Sequence, residues 1–261
     1  VRANGSWTPD SRICLAAEAP ANFGETWEHM ARMSWKNLRP YLGRPGNPVT
    51  FTDHYRMSDT PFGEQAPLDP NLPPLPPPSW TGLPTQTSDF GRYEDRIEDL
   101  TPKSQILTDD NNPFPVKHVS RTTQMFFNFT EYGHLLMSEF FAAGGKIEMR
   151  DFHAPSELAS LKEKVVINCP GFAARDWWKD KAMMPVRGQT GWLIPQPEVN
   201  YAMTYRNVQV LSKSDGIMVI ALEHGDMKGY NDSDESVRRA ESERAVRVIE
   251  ELYSRFPASP A

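Results

Sequence analysis

The residues that combine chemical character with diagnostic spacing lie between Val165 and Gln189, in the stretch VVINCPGFAARDWWKDKAMMPVRGQ. Val165, Val166 and Ile167 form a β-branched run without polar alternation, the pattern of a parallel strand covered on both faces. Asn168-Cys169-Pro170-Gly171 ends that run with turn residues, and Gly171 lets the backbone approach a ligand beyond the strand's carboxyl end. Open α/β sheets bind their ligands at such ends. The order of buried strand, Pro-Gly stop, short amphipathic segment and Pro-x-Arg-Gly-Gln therefore predicts the edge of a dinucleotide cofactor site. A buried strand followed by a glycine turn has the same local pattern with no ligand at all.

Other chemistries find little support. The histidines at 29, 54, 118, 134, 153 and 224 form no HExxH and no i, i+4 pair, which argues against a zinc hydrolase. There is no GxSxG elbow and no GxxxxGK[ST] loop. Asp53-His54 has the composition of an acid/base pair, although a polar turn or strand-edge pair is far commoner. Cys14 and Cys169 are far apart and lack metal-ligand spacing, so they predict reduced, partly buried thiols. A net charge of −6, with no basic stripe interleaved with aromatics, gives no reason to expect nucleic acid binding. No apolar run is long enough to span a membrane and no signal-peptide pattern opens the chain. The N-x-[ST] matches at Asn4, Asn128 and Asn231 carry little weight without a secretory context.

Elements that would position these residues can be read from periodicity. Helical spacing of Trp27, Met30, Met33, Leu38 and Tyr41 predicts a helix over 25–42, stopped by Gly43. A strand is expected over 49–57. Residues 67–84 carry eight of the 24 prolines and predict an extended surface connection. A helix over 126–143, ended by Gly144-Gly145, precedes a strand at 146–151, a short helix at 156–161 and the strand at 165–167. This β, helix, β order implies part of a parallel nucleotide-binding sheet. Beyond Pro185 the pattern becomes an antiparallel meander, with strands at 186–195, 200–206, 208–211 and 216–222. A helix over 233–256, started by Asp232 with Glu235, carries the stripe Val237, Ala240, Ala245, Val248, Ile249, Leu252 and Phe256 over one face of that sheet.

VINCPG followed by PVRGQ resembles the D-amino-acid oxidase family of FAD-dependent oxidoreductases. Ala3-Asn4-Gly5-Ser6-Trp7-Thr8-Pro9 is similar to that family's A-x-G-x-W-x-P stretch beside the flavin ring. Tyr201-Ala202-Met203-Thr204-Tyr205 resembles its paired tyrosines over the substrate. The fold this implies is α/β (α+β overall): a partial FAD-binding, Rossmann-like parallel sheet from 1–48 and 145–184, and an antiparallel-sheet substrate domain with covering helices from 49–144 and 185–261. FAD is the implied cofactor, with Asn4, Gly5, Ser6, Phe152, Cys169, Pro170 and Gly171 as its contacts. Tyr205 would hydrogen-bond a substrate carboxylate and Tyr201 would sit on a lid.

The implied reaction is oxidative deamination of a D-amino acid. The α-hydrogen leaves as hydride to the flavin, the imino acid hydrolyses to a keto acid, and oxygen re-oxidises the flavin with release of hydrogen peroxide; protein groups supply orientation. Partners are an amino acid or amine substrate and oxygen, with a homodimer allowed and a cytoplasmic or peroxisomal setting. A glycine- or sarcosine-type amine oxidase, and a non-catalytic subunit that keeps the fold but has lost the cofactor, are the alternatives. Two departures stand out. Pro170 replaces the family's Thr or Ser and has neither that hydroxyl nor a backbone donor. The GxGxxG turn and the later arginine and Gly-rich stretch do not occur, so the resemblance implies an incomplete oxidase that binds FAD weakly alone. Arg187 and Gly188 are expected to be structural supports at the domain junction.

Overall fold

The computed structural model describes residues 5–9, 16–64, 91–180, 183, 185–222, 228–229 and 231–257. The first helix, α1 (Phe23–Leu38), turns Trp27 and Ala31 inward four residues apart, with Trp35 and Leu38 continuing the same stripe. Glu25 in its first turn and Lys36 in its last complement the helix dipole. It ends earlier than periodicity implies. Pro40 has no amide to continue the ladder, and the chain tightens into a 3-10 turn, Arg39–Tyr41.

Strand β1 (Val49–Ser58) is followed by the short β2 (Gln105–Ile106) and by β3 (His118–Phe127). β1 and β3 pair antiparallel along their whole length, from Val49 opposite Phe127 to Ser58 opposite His118. The helix expected from residue 126 therefore begins later, as α2 (Phe129–Ala142), because Phe126 pairs with Thr50 and is buried in the sheet. α2 closes with Gly144 at φ +83°, its amide bonded to Phe141 O and that of Gly145 to Phe140 O. This paired bonding is a Schellman motif, and it uses glycine in the left-handed region.

After the five-residue α3 (Ala174–Trp178) come β4 (Gly191–Leu193), β5 (Ala202–Tyr205), β6 (Val208–Lys213) and β7 (Gly216–Ala221). The seven strands form one mixed sheet in the order β2-β3-β1-β5-β6-β7-β4. β5 runs parallel to β1 and the other neighbours are antiparallel. Arg206 and Asn207 join β5 to β6 with φ of 42° and 60°, the backbone of a two-residue type I′ hairpin. Strand alternation then divides the core. Met203, Tyr205, Val208, Val210, Ile217 and Val219 face α4 (Arg239–Ser254), which contributes Ala245 and Leu252. α1 covers the β1–β3 end of the sheet with Trp27, against Val49 and Met125. On the other face lie Phe126, Ala202, Leu211 and Met218.

Several expectations need correction. Residues 165–167 and 146–151 form no strand, and Val165 and Ile167 are 80% and 87% exposed. A strand exists by bonding to a neighbour, and no described segment pairs with them, so a parallel nucleotide-binding sheet is not formed among the described residues. The helix expected at 156–161 is a 3-10 turn, Pro155–Ser160. α4 begins at Arg239 rather than at 233, because Asp232 and Asp234 accept the amides of Asp234 and Ser236 in successive local turns. Cys169 is exposed rather than partly buried; Cys14 and the proline-rich 67–84 segment lie outside the described residues. No helix among the described residues is long and apolar enough to cross a membrane.

Candidate functional site

The Gly5–Pro9 segment extends the sheet at the free edge of β3. Phe127 N–H donates to Gly5 O at 2.6 Å, Trp7 N–H donates to Met125 O at 2.8 Å, and Ser6 stands opposite Phe126. In antiparallel pairing this directs the Ser6 backbone groups away from β3. Gly5 is at φ +77°, and a Cβ there would sit 2.7 Å from Phe127 O, 2.8 Å from Lys213 Nζ and 3.0 Å from the Phe129 ring. Both the dihedral and the space require glycine. Lys213 crosses the end of the sheet to donate to Phe127 O at 3.1 Å and to lie over the Phe129 ring. Burial lowers its pKa, opposed by nearby Asp215.

Between this edge and α1 opens a cleft of about 350 Å³ whose walls include Ser6, Trp7, Trp27, Met30, Ser34 and Phe127. The Trp7 indole N–H donates to Ser34 Oγ at 2.7 Å and its ring meets Trp35 at 4.7 Å, so the edge is anchored to the helix. Among the described residues the lining is largely apolar and carries no charged side chain; Ser6, Thr8 and Ser34 contribute hydroxyls. Such a surface suits a flat, largely apolar group, and none of its described residues could neutralise a phosphate.

The other expected cofactor contacts are not gathered here. Phe152 is half-buried beneath the Arg150 guanidinium, 5.8 Å from the ring centre. Cys169, Pro170 and Gly171 lie in an open turn; Gly171 has φ +60°, and beyond its chain neighbours no described residue comes within 4 Å of where its Cβ would be. The turn leads into a 3-10 stretch of three residues and then α3 of five, so no long helix N-terminus stands behind it to hold a pyrophosphate. The glycine edge and the cleft offer an apolar surface of the chemistry a flavin ring would need, and a phosphate cradle is not assembled among the described residues. Asn4 lies outside them. No three or more His, Cys, Asp or Glu among the described residues are grouped to hold a metal.

Tyr201 and Tyr205, four apart across β5, face α4 rather than the cleft. Tyr205 is fully buried, and its hydroxyl donates to Asp59 Oδ2 at 2.8 Å. Arg206 Nε and Arg255 Nη1 donate to the same carboxylate at 2.8 and 2.7 Å. Burial opposes ionisation of Asp59, but bonds from Arg255, Tyr205 and Arg206 outweigh it and hold the carboxyl at about 2. Burial, then the bond to Asp59, raises the Tyr205 phenol. The phenol is thus spent on joining the end of β1 to β5 and α4. Tyr201 shares a 2.5 Å hydrogen bond with Tyr253 of α4.

The PVRGQ residues form a clamp. The Arg187 side chain is 8% exposed and donates to the carbonyls of Asp234 and Ser236. Gln189 accepts Arg238 N–H and donates to Arg238 O. Behind them Glu241, also buried, meets Lys228 Nζ at 2.5 Å and Arg187 Nη1 at 3.8 Å. This set fastens the chain that leads into α4. His54 and Asp53 alternate to opposite faces of β1: His54 bridges Gln124 and Thr204, whereas Asp53 accepts from Thr123. Burial lowers the His54 pKa, with the Gln124 bond opposing. The two make no acid/base pair.

Asp59, Lys213, Ser34 and Tyr253 escaped sequence reasoning because each gains its role from a partner on a distant element. Trp27 was legible as part of a helical stripe. No family model matches the chain.

Proposed function

We propose that the chain contributes the flavin-ring side and the substrate domain of an FAD-dependent oxidase acting on a D-amino acid. The observation that carries this reading is the Gly5–Trp7 edge: a glycine imposed by both dihedral and space, bordering a largely apolar cleft with no charged side chain among its described residues, in the stretch whose sequence is similar to the flavin-ring segment of that family. When bound, the flavin supplies the two-electron acceptor for oxidation of a C–N bond. The residues of this chain would orient the ring along Gly5 and Ser6 and exclude water with Trp7, Trp27 and Phe127.

A Rossmann-like sheet belongs to the same proposal. Leu136, Phe140 and Phe141 of α2 are exposed, as are Ile147, Met149, Val165 and Ile167. Strands added beside 146–151 and 165–167 would bury the latter side chains. The commitment of Tyr205 to Asp59 and the missing donor at Pro170 favour a second reading, a subunit that keeps the fold without catalysis.

Purified full-length protein, titrated with FAD and followed by visible absorbance, tests the proposal. Flavin bands that perturb on binding, with peroxide release from D-alanine, support the oxidase. Release from sarcosine instead moves the assignment to the amine oxidase. Absence of any flavin binding refutes both oxidase readings and is the result expected of a subunit that keeps the fold without the cofactor.

A further inference from the structure

A second hollow lies under α4 on the other half of the same sheet face, with a volume of about 240 Å³. Met203, Val210, Ile217 and Val219 of the sheet and Val246 and Ile249 of the helix make an apolar interior. Polar groups break the lining at specific points. The first is the hydroxyl pair of Tyr201 and Tyr253: one proton lies between the two oxygens, and the remaining contact of the pair, Tyr253 to Met203 Sδ at 3.8 Å, is weak. Acceptor capacity is left at those oxygens. The second is Glu250, an exposed residue of the lining, which also includes Gln196.

Glu250 differs from its neighbours on α4. Glu241 is paired with Lys228 and Arg187, Glu243 with Arg239, and Glu251 with Arg206 and Arg255. Among the described residues Glu250 has no ion pair or hydrogen bond, although cationic side chains crowd the same helix. A carboxylate, tyrosine oxygens and an amide carbonyl in the lining of an apolar hollow supply acceptors for an N–H₃⁺ group and a dry seat for its tail. An anion would meet the Glu250 charge, and the volume is too small for a nucleotide.

We infer that this hollow binds a small primary ammonium compound carrying a single ring or a short alkyl chain. Its tail occupies the space between Met203, Val210 and Val246, and its ammonium sits on Glu250. The site does not depend on the flavin proposal, since none of its walls belongs to the Gly5–Pro9 cleft.

Calorimetric titration of the full-length chain with 2-phenylethylamine, 2-phenylethanol and 3-phenylpropanoate tests this. The amine is expected to bind saturably and at least about tenfold tighter than the alcohol, as a charge-assisted hydrogen bond warrants, while the carboxylate should not bind. Glu250→Gln, at an exposed position, should bring the amine down to the level of the alcohol and leave the alcohol unchanged. Val246→Trp should fill the hollow and abolish binding of both; Ile249→Phe gives a milder filling if that variant fails to fold. No saturable amine binding, amine binding indifferent to Glu250→Gln, or equal affinity for amine and alcohol overturns the inference.

Discussion

Gly5→Ala is the substitution that separates a required glycine from a tolerated one. At φ +77° an alanine pays the left-handed penalty of about 1–2 kcal/mol. Its Cβ also lands 2.7 Å from Phe127 O, a backbone atom fixed in β3, and 2.8 Å from Lys213 Nζ. The ammonium can swing aside only by leaving Phe127 O, and overpacking of this kind costs about 1–3 kcal/mol. The sum, about 2–5 kcal/mol, compares with what holds the segment. Two backbone bonds contribute roughly 0.5–1.5 kcal/mol each, and burial of the Trp7 ring adds about 3 kcal/mol or more. The Gly5–Pro9 edge should therefore loosen while the sheet stays folded. Hydrogen exchange at the Trp7 amide, with urea unfolding as the global measure, reads the two effects separately. Gly43→Ala is the control: it has φ +71° and, beyond its chain neighbours, no described residue within 4 Å, so it should show the left-handed penalty alone. Equal losses for the two variants, or an unchanged Trp7 amide in Gly5→Ala, would refute the close-approach argument.

Asp59 titrates below the ordinary carboxylate range, so its contribution is complete above about pH 4 and is lost as pH falls towards 2. Given its partial exposure, that contribution is about 1 kcal/mol after screening; acid-dependent urea midpoints should steepen there in the wild type and flatten in Asp59→Asn. Leu252→Ala empties a fully buried site in the α4 core and should cost about 2–5 kcal/mol by chemical denaturation. Arg187→Ala removes one partner of buried Glu241 and frees the carbonyls of Asp234 and Ser236, for a loss of about 3 kcal/mol. Arg187→Lys should recover part of it by keeping the charge, and thermal melts would show the order wild type, Lys, Ala.

Periodicity placed β1, α1 and the whole β5–β7 meander within a few residues, because each of these buries one face against its neighbours and the alternation is written locally. It also found the Ala245–Leu252 stripe of α4. It failed for β3, whose Thr122, Thr123 and Gln124 look polar and are held by ten-residue pairing with β1. Val165–Ile167 failed in the opposite sense. Their β-branched composition is that of a buried strand, yet a strand is a pairing, and no described segment pairs with them. The resemblance singled out Gly5 and Ser6 as expected cofactor contacts, whereas only the geometry shows why position 5 favours glycine.

By itself, the sequence determined where chain direction changes and which faces are apolar, since Gly, Pro and side-chain alternation act over a few residues. Only the tertiary structure decided what the polar side chains meet. Tyr201 and Tyr205 share a face by strand period alone; packing against α4 gave one to Tyr253 and the other to Asp59. Hydrogen-bond partners 52 and 146 residues apart are brought together by sheet order and helix docking. Local sequence carries no record of either, because such contacts depend on long-range burial.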